Sequence, residues 1–90
     1  GVTAPTISGT SPFETSTQVT MTAQSGAEIR YTTDGNTPTA ESTLYESAIT
    51  LNDTTTIKAI AIKDGESSTV SSRTFTKGSS GGGGGNGDME

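Results

Sequence analysis

Two segments constrain this chain more than any others: residues 29–39, IRYTTDGNTPT, and residues 57–65, IKAIAIKDG. The first reads as a strand of alternating large and small residues running into a Thr-Asp-Gly-Asn turn, with Pro38 closing the stretch. The second is a longer apolar strand that ends at Asp64-Gly65. Asp-Gly and Gly-Asn tolerate the positive φ that tight reversals require, so each segment predicts a strand followed by a turn. Strand and turn alternate, and no helical spacing of apolar residues competes with them. The chain is expected to be all-β.

The remaining elements follow the same logic. Thr20, Thr22 and Gln24 alternate with Val19, Met21 and Ala23, which predicts a strand over 18–24 with one buried face. Ile29 and Tyr31 point to the core opposite Arg30 and Thr32. Short extended pieces are expected at 4–8, near Leu44-Tyr45, and at 48–51. The central strand spans 55–63, and the last spans 67–76. Three short connections, Ser25-Gly26, Asn52-Asp53 and Asp64-Gly65, are expected to form antiparallel hairpins. The longer stretch 34–47 has the length to cross between sheets. Strand-sized pieces every 8 to 12 residues or so, separated by turn residues, predict an antiparallel β-sandwich of about seven strands.

Composition sets the boundaries. Residues 78–90, GSSGGGGGNGDME, have no apolar periodicity and cannot offset the entropy of ordering glycine-rich chain. The expected division is a sandwich module over 3–77 and a flexible linker over 78–90, with a reach of roughly 20 Å. Only 27% of the chain is hydrophobic, and Thr and Ser are abundant. That suits a small sandwich with hydroxyl-bearing outer faces.

The charge balance excludes several partners. The net charge is −5, with −3 left on residues 3–77 once Asp88 and Glu90 are set aside. Arg30, Lys58, Lys63, Arg73 and Lys77 are scattered, whereas a phosphate backbone requires a basic stripe. Nucleic acid and anionic membrane surfaces are therefore not expected partners. No run approaches the roughly 20 apolar residues of a membrane span. A chain that starts at Gly1-Val2 without Met reads as a piece of a longer protein.

The chain has no Cys and no His. This removes a disulfide framework, thiolate metal sites and the commonest general base. Asp34 and Asn36 place two oxygen-bearing side chains two positions apart, but a Ca²⁺ ion takes about six to eight oxygens. A turn with Asx hydrogen bonding is the expectation, with no metal and no cofactor. Glu28, Glu41 and Glu46 lie at a strand start or in polar loop sequence, where acidic residues are usually solvated, so no glycosidase pair is expected. Asn52-Asp53-Thr54 matches a glycosylation sequon and is read as a turn.

The order of these features resembles a known family. PTIS at 5–8, IRYTTDGNTPT at 29–39, LY at 44–45, AITL at 48–51, TTIKAIAIKDG at 55–65 and a Ser-rich final strand at 67–72 are together similar to the chitobiase/β-hexosaminidase C-terminal domain, a fibronectin type III-associated repeat. The resemblance covers residues 4–76. It implies an immunoglobulin-like sandwich of seven or eight strands. It also implies an accessory module of secreted or surface bacterial proteins, often beside glycoside hydrolases and without catalysis of its own; the module is expected to be a monomer. Two departures stand out. Ala48 replaces a frequent Pro, and Arg30 replaces a frequent aromatic that would have stacked on sugar.

Three residues remain as candidate contacts. Tyr31 is expected in the core, which leaves Tyr45 as the exposed ring best placed to meet a glycan or polysaccharide. If Ile57, Ala59 and Ala61 face the core, Ile60 and Ile62 lie on the outer face as an aliphatic contact surface. With the opposite parity the two isoleucines are core and the alanines are outside. The expected role is a spacer that holds neighbouring domains of the same chain apart, the alternative being a weak carbohydrate- or surface-binding module.

Overall fold

The computed structural model describes residues 1–78. They form eight strands: β1 (Thr6–Ser8), β2 (Thr17–Thr22), β3 (Glu28–Thr32), β4 (Thr43–Leu44), β5 (Ile49–Leu51), β6 (Thr55–Lys63), β7 (Glu66–Ser67) and β8 (Ser71–Phe75). One sheet has the order β1-β2-β5. The other has β4-β3-β6-β7, with β8 also paired to β6. Every strand pair is antiparallel. The linker expected over 78–90 lies, beyond Gly78, outside the described residues.

Period-2 patterning puts the core between these two sheets. Ile7, Val19, Met21 and Leu51 face inward from the first sheet, and Ile29, Ile57, Ala59 and Phe75 from the second, with Phe13 joining from the β1–β2 connection. Phe75, Ile57 and Val19 are the largest side chains sealed from solvent. Across β3 and β6 large residues meet small ones: Tyr31 stands opposite Ala59, and Ile29 opposite Ala61. Tyr31 itself is half-buried and packs against the core rather than within it.

The parity of β6 is thereby decided. Ile57, Ala59 and Ala61 face inward, and Ile60 and Ile62 share the outer face with their cross-strand partners Arg30 and Glu28. Ile60 is nevertheless only 4% exposed. It lies at the middle of the longest strand, flanked by β3 on one side and by β8 on the other, where Val70 precedes the Ser71–Ala59 pair. Long side chains such as that of Arg30 lay their stems over apolar neighbours. Ile60 is thus not the exposed aliphatic that the sequence suggested, while Ile62 is half-buried.

Two of the three expected hairpins are not hairpins. Ser25-Gly26 does turn the chain, with Gly26 at φ 87° and Ala27 N–H donating to the Gln24 carbonyl. It delivers β3 to the opposite sheet, because β2 is already paired on both edges by β1 and β5. Asn52-Asp53 likewise passes the chain from β5 to β6 in the other sheet. Only Asp64-Gly65 closes a hairpin, pairing Lys63 with Glu66 and holding positive φ at both turn residues, 53° and 79°. Residues 34–42 stay beside one sheet between β3 and β4, and the crossing comes after Leu44. The strand expected over 67–76 is also interrupted: Ser68 folds back on Ala61, its N–H donating to the carbonyl while its Oγ accepts from the Ala61 N–H. This separates β7 from β8 and accounts for the eighth strand.

Where β1 and β8 meet, side chains stitch the two sheets. Ser71 Oγ donates to the Pro5 carbonyl, and Arg73 Nη1 and Nη2 donate to the carbonyls of Ile7 and Gly9. Further along, Thr76 N–H reaches Ser11 Oγ, and Phe13 pairs with Lys77 in a parallel bridge. Phe13 N–H donates to Thr76 O at 3.0 Å, and Gly78 N–H to Phe13 O at 2.7 Å.

Candidate functional site

The most developed surface feature lies where β3 runs out into the loop 33–42. The loop is tightly self-bonded. Asp34 Oδ1 accepts from the Asn36 backbone N–H at 3.1 Å, and Oδ2 from the Asn36 side-chain amide at 2.9 Å. Thr32 Oγ1 donates to the Asn36 carbonyl at 2.6 Å. Gly35, at φ 85°, supplies the left-handed backbone that this turn requires. The Asx turn expected from the sequence is therefore formed.

A second turn completes the loop. Ser42 N–H donates to Thr39 O at 3.0 Å, and Ser42 Oγ accepts from Thr39 N–H at 2.9 Å. Pro38 is buried and anchors the middle of the loop. From the outer face, Arg30 Nη1 donates to the Ser42 carbonyl at 3.0 Å while its Nε binds Glu28 Oε2 at 3.1 Å. This is an exposed ion pair of small energetic worth by itself; its geometric effect is to orient Arg30 toward the loop.

Between the two turns is an open depression of about 260 Å³. It is lined by Tyr31, Thr32, Thr33 and Asp34 from the end of β3 and its loop, and by Glu41, Ser42 and Thr43 from the return into β4. Four hydroxyl-bearing residues, one phenol and two carboxylates thus converge, with no basic residue in the lining. Asp34, Glu41 and Glu46 are all exposed. A glycosidase acid, by contrast, needs burial to hold its proton near neutrality. Among the described residues no group of three or more His, Cys, Asp or Glu is placed to hold a metal ion.

The three residues singled out from the sequence do not come together. Tyr45 is half-buried, its N–H donating to the Ile29 carbonyl at 2.8 Å. Its ring packs edge-on against Tyr31, with centroids 6.5 Å apart and planes at 74°. Tyr45 therefore belongs to the core-facing side of the second sheet, whereas Ile60 and Ile62 occupy its outer side. The depression uses Tyr31 in place of Tyr45, a choice that parity alone did not reveal. Nor did the sequence single out Thr33 or Ser42, since isolated hydroxyl residues in a Thr-rich chain carry no signal.

Two packed antiparallel sheets around one small apolar core define an all-β sandwich domain. The chain belongs to the chitobiase/beta-hexosaminidase C-terminal domain family, whose pattern matches residues 6–76. Among individual proteins, a “Putative beta-glucuronidase” of Formosa agariphila is 36% identical over 81 residues, an alignment covering 79% of this chain and 8% of that protein. The chain thus corresponds to a small part of its relative. No helix among the described residues is long and apolar enough to cross a membrane.

Proposed function

We propose that this chain is a non-catalytic accessory module of a larger secreted or surface bacterial protein that acts on glycans. The observation that carries this reading is the coverage: 79% of the chain aligns with only 8% of a protein named for glycosidase activity. A module that occupies so small a fraction of its relative leaves the rest for the reacting groups. The exposure of Asp34, Glu41 and Glu46 supports the same reading. In this role residues 3–77 are a monomeric spacer that holds neighbouring domains of the same chain apart.

A direct test assays the purified chain against aryl β-glucuronides and aryl N-acetyl-β-glucosaminides. The expected result is no turnover above the buffer rate. Turnover lost on Glu41→Gln or Glu46→Gln would overturn the proposal. A second reading, contact with a polysaccharide or glycan, is favoured by one observation only, the hydroxyl- and carboxylate-lined depression between Tyr31 and Thr43.

A further inference from the structure

We infer that the depression beside the β3–β4 loop is a subsite for one uncharged sugar ring, and that Asp34 and Glu41 select against acidic sugars. The inference rests on the glycan-contact reading and adds the charge class and the residues that set it.

Size comes first. At about 260 Å³ the depression is smaller than the roughly 300–1,000 Å³ clefts that enclose drug-sized ligands. One sugar ring matches that volume, and any further rings would run out over the open side. The lining chemistry matches a polyol. Sugar hydroxyls both donate and accept, and so do the hydroxyls of Thr32, Thr33, Ser42 and Thr43. A carboxylate offers about four lone-pair sites. The two bonds from Asn36 occupy two of those on Asp34, which leaves acceptor capacity for sugar hydroxyls. Charge-assisted hydrogen bonds of this kind are roughly twice as strong as neutral ones.

Selectivity follows from charge. Asp34 and Glu41 both line the depression, and the lining has no cation. Arg30 is the charged group behind Ser42, and it is engaged by Glu28 and by the Ser42 carbonyl. A uronate or sulfate placed here meets two like charges with no free guanidinium to offset them. A neutral pyranose meets only acceptors and hydroxyls. The walls are also held in place before binding by the Asp34–Asn36 and Thr39–Ser42 bonds, so little ordering cost falls on the ligand.

The experiment is a ¹⁵N amide-shift titration of the whole chain with cellobiose, N-acetylglucosamine and glucuronic acid at constant pH and ionic strength. The expected result is saturable shifts at residues 31–34 and 41–43 with the two neutral sugars, with Kd on the order of millimolar. Glucuronic acid should shift the same amides at least about threefold less at equal concentration, a modest effect for partly screened charges. Glu41→Gln should narrow that difference and Glu41→Lys reverse it. Glu41 is exposed, so both variants keep the fold. Equal response to glucuronic acid, or an order indifferent to Glu41→Lys, overturns the selectivity. Shifts centred on residues 58–62 overturn the site while leaving glycan contact intact. No shift with any sugar overturns the subsite and the glycan-contact reading together, and leaves the accessory-module proposal standing.

Discussion

Arg73 Nη1 donates to the carbonyl oxygen of Ile7 at 2.9 Å, joining residues 66 positions apart and bridging the two sheets at their edge. The same guanidinium reaches Gly9 O through Nη2 and lies 4.9 Å over the Phe75 ring. β1 is thereby given partners for carbonyls that β2 does not serve. Hydrogen bonds to charged groups contribute about 1.5–3 kcal/mol, less where solvent reaches them. Arg73→Ala is expected to lower unfolding free energy by about 1–2 kcal/mol in urea melts. Arg73→Lys should recover less than half, because an ammonium cannot fork to two carbonyls. An unchanged urea midpoint in Arg73→Ala would show that the bridge contributes nothing.

Two glycines resist substitution for different reasons. A Cβ on Gly9 would stand 2.7 Å from Phe75 Cε2 and 3.2 Å from the Gln18 carbonyl oxygen. Phe75 is fully buried and cannot retreat. Gly9→Ala should cost about 1–3 kcal/mol through overpacking. Around Gly35 the space is open, but its φ of 85° strains any L side chain. Gly35→Ala should cost about 1 kcal/mol, and Gly35→Asn less, since Asn visits positive φ more readily. Thermal melts of the three variants give the ranking, and a Gly9→Ala protein as stable as the parent would refute the contact.

Ile60 and Ile62 share the outer face, yet they are expected to behave differently. Ile60→Ala should cost about 2 kcal/mol or more, as for a core aliphatic, because the site is 4% exposed. Ile62, half-buried near the strand end, should cost under about 1 kcal/mol. Equal losses for the two would mean that burial on this face does not track strand position.

At the β6–β7 hairpin, Asp64 holds φ 53°. Asp64→Asn or Asp64→Gly should leave stability within about 0.5 kcal/mol, whereas Asp64→Val should lose about 1–2 kcal/mol. Amide exchange at Lys63 and Glu66 would report the loosened turn directly.

The elements of this fold were legible wherever patterning is long or turn chemistry is specific. Thr55–Lys63 emerged with both boundaries, since nine residues of apolar-rich strand end on Asp-Gly. The inward direction of Val19, Met21 and Ile29 followed from period-2 spacing, whereas along 55–63 that spacing left two parities open, because Ile57, Ala59 and Ala61 alternate with Ile60 and Ile62 and both faces are apolar. Sheet membership was not legible at Ser25-Gly26 and Asn52-Asp53. A turn residue encodes a change of direction, but whether the next strand pairs with its predecessor depends on which edges are already taken. The same limit hid Phe13, which is held in the core by backbone bonds to Thr76 and Gly78, far along the chain. In the depression, Asp34 was visible through its Asx turn, but Glu41 and Ser42 were brought to it by Thr39 bonding and by Arg30, contacts without a local signature.

The junction of β1 and β8 has a mechanical consequence. Its partners advance together along the chain, from Ser71 on Pro5, through Arg73 on Ile7, to Lys77 beside Phe13, so the two segments run in the same direction. Tension applied through the two flanks of the module pulls one segment backward and the other forward. The load then falls on this whole row of bonds at once, in shear, and does not peel them apart one after another. A β-sandwich laced this way yields at higher force than its modest core suggests, and keeps its length while the chain on either side is stretched.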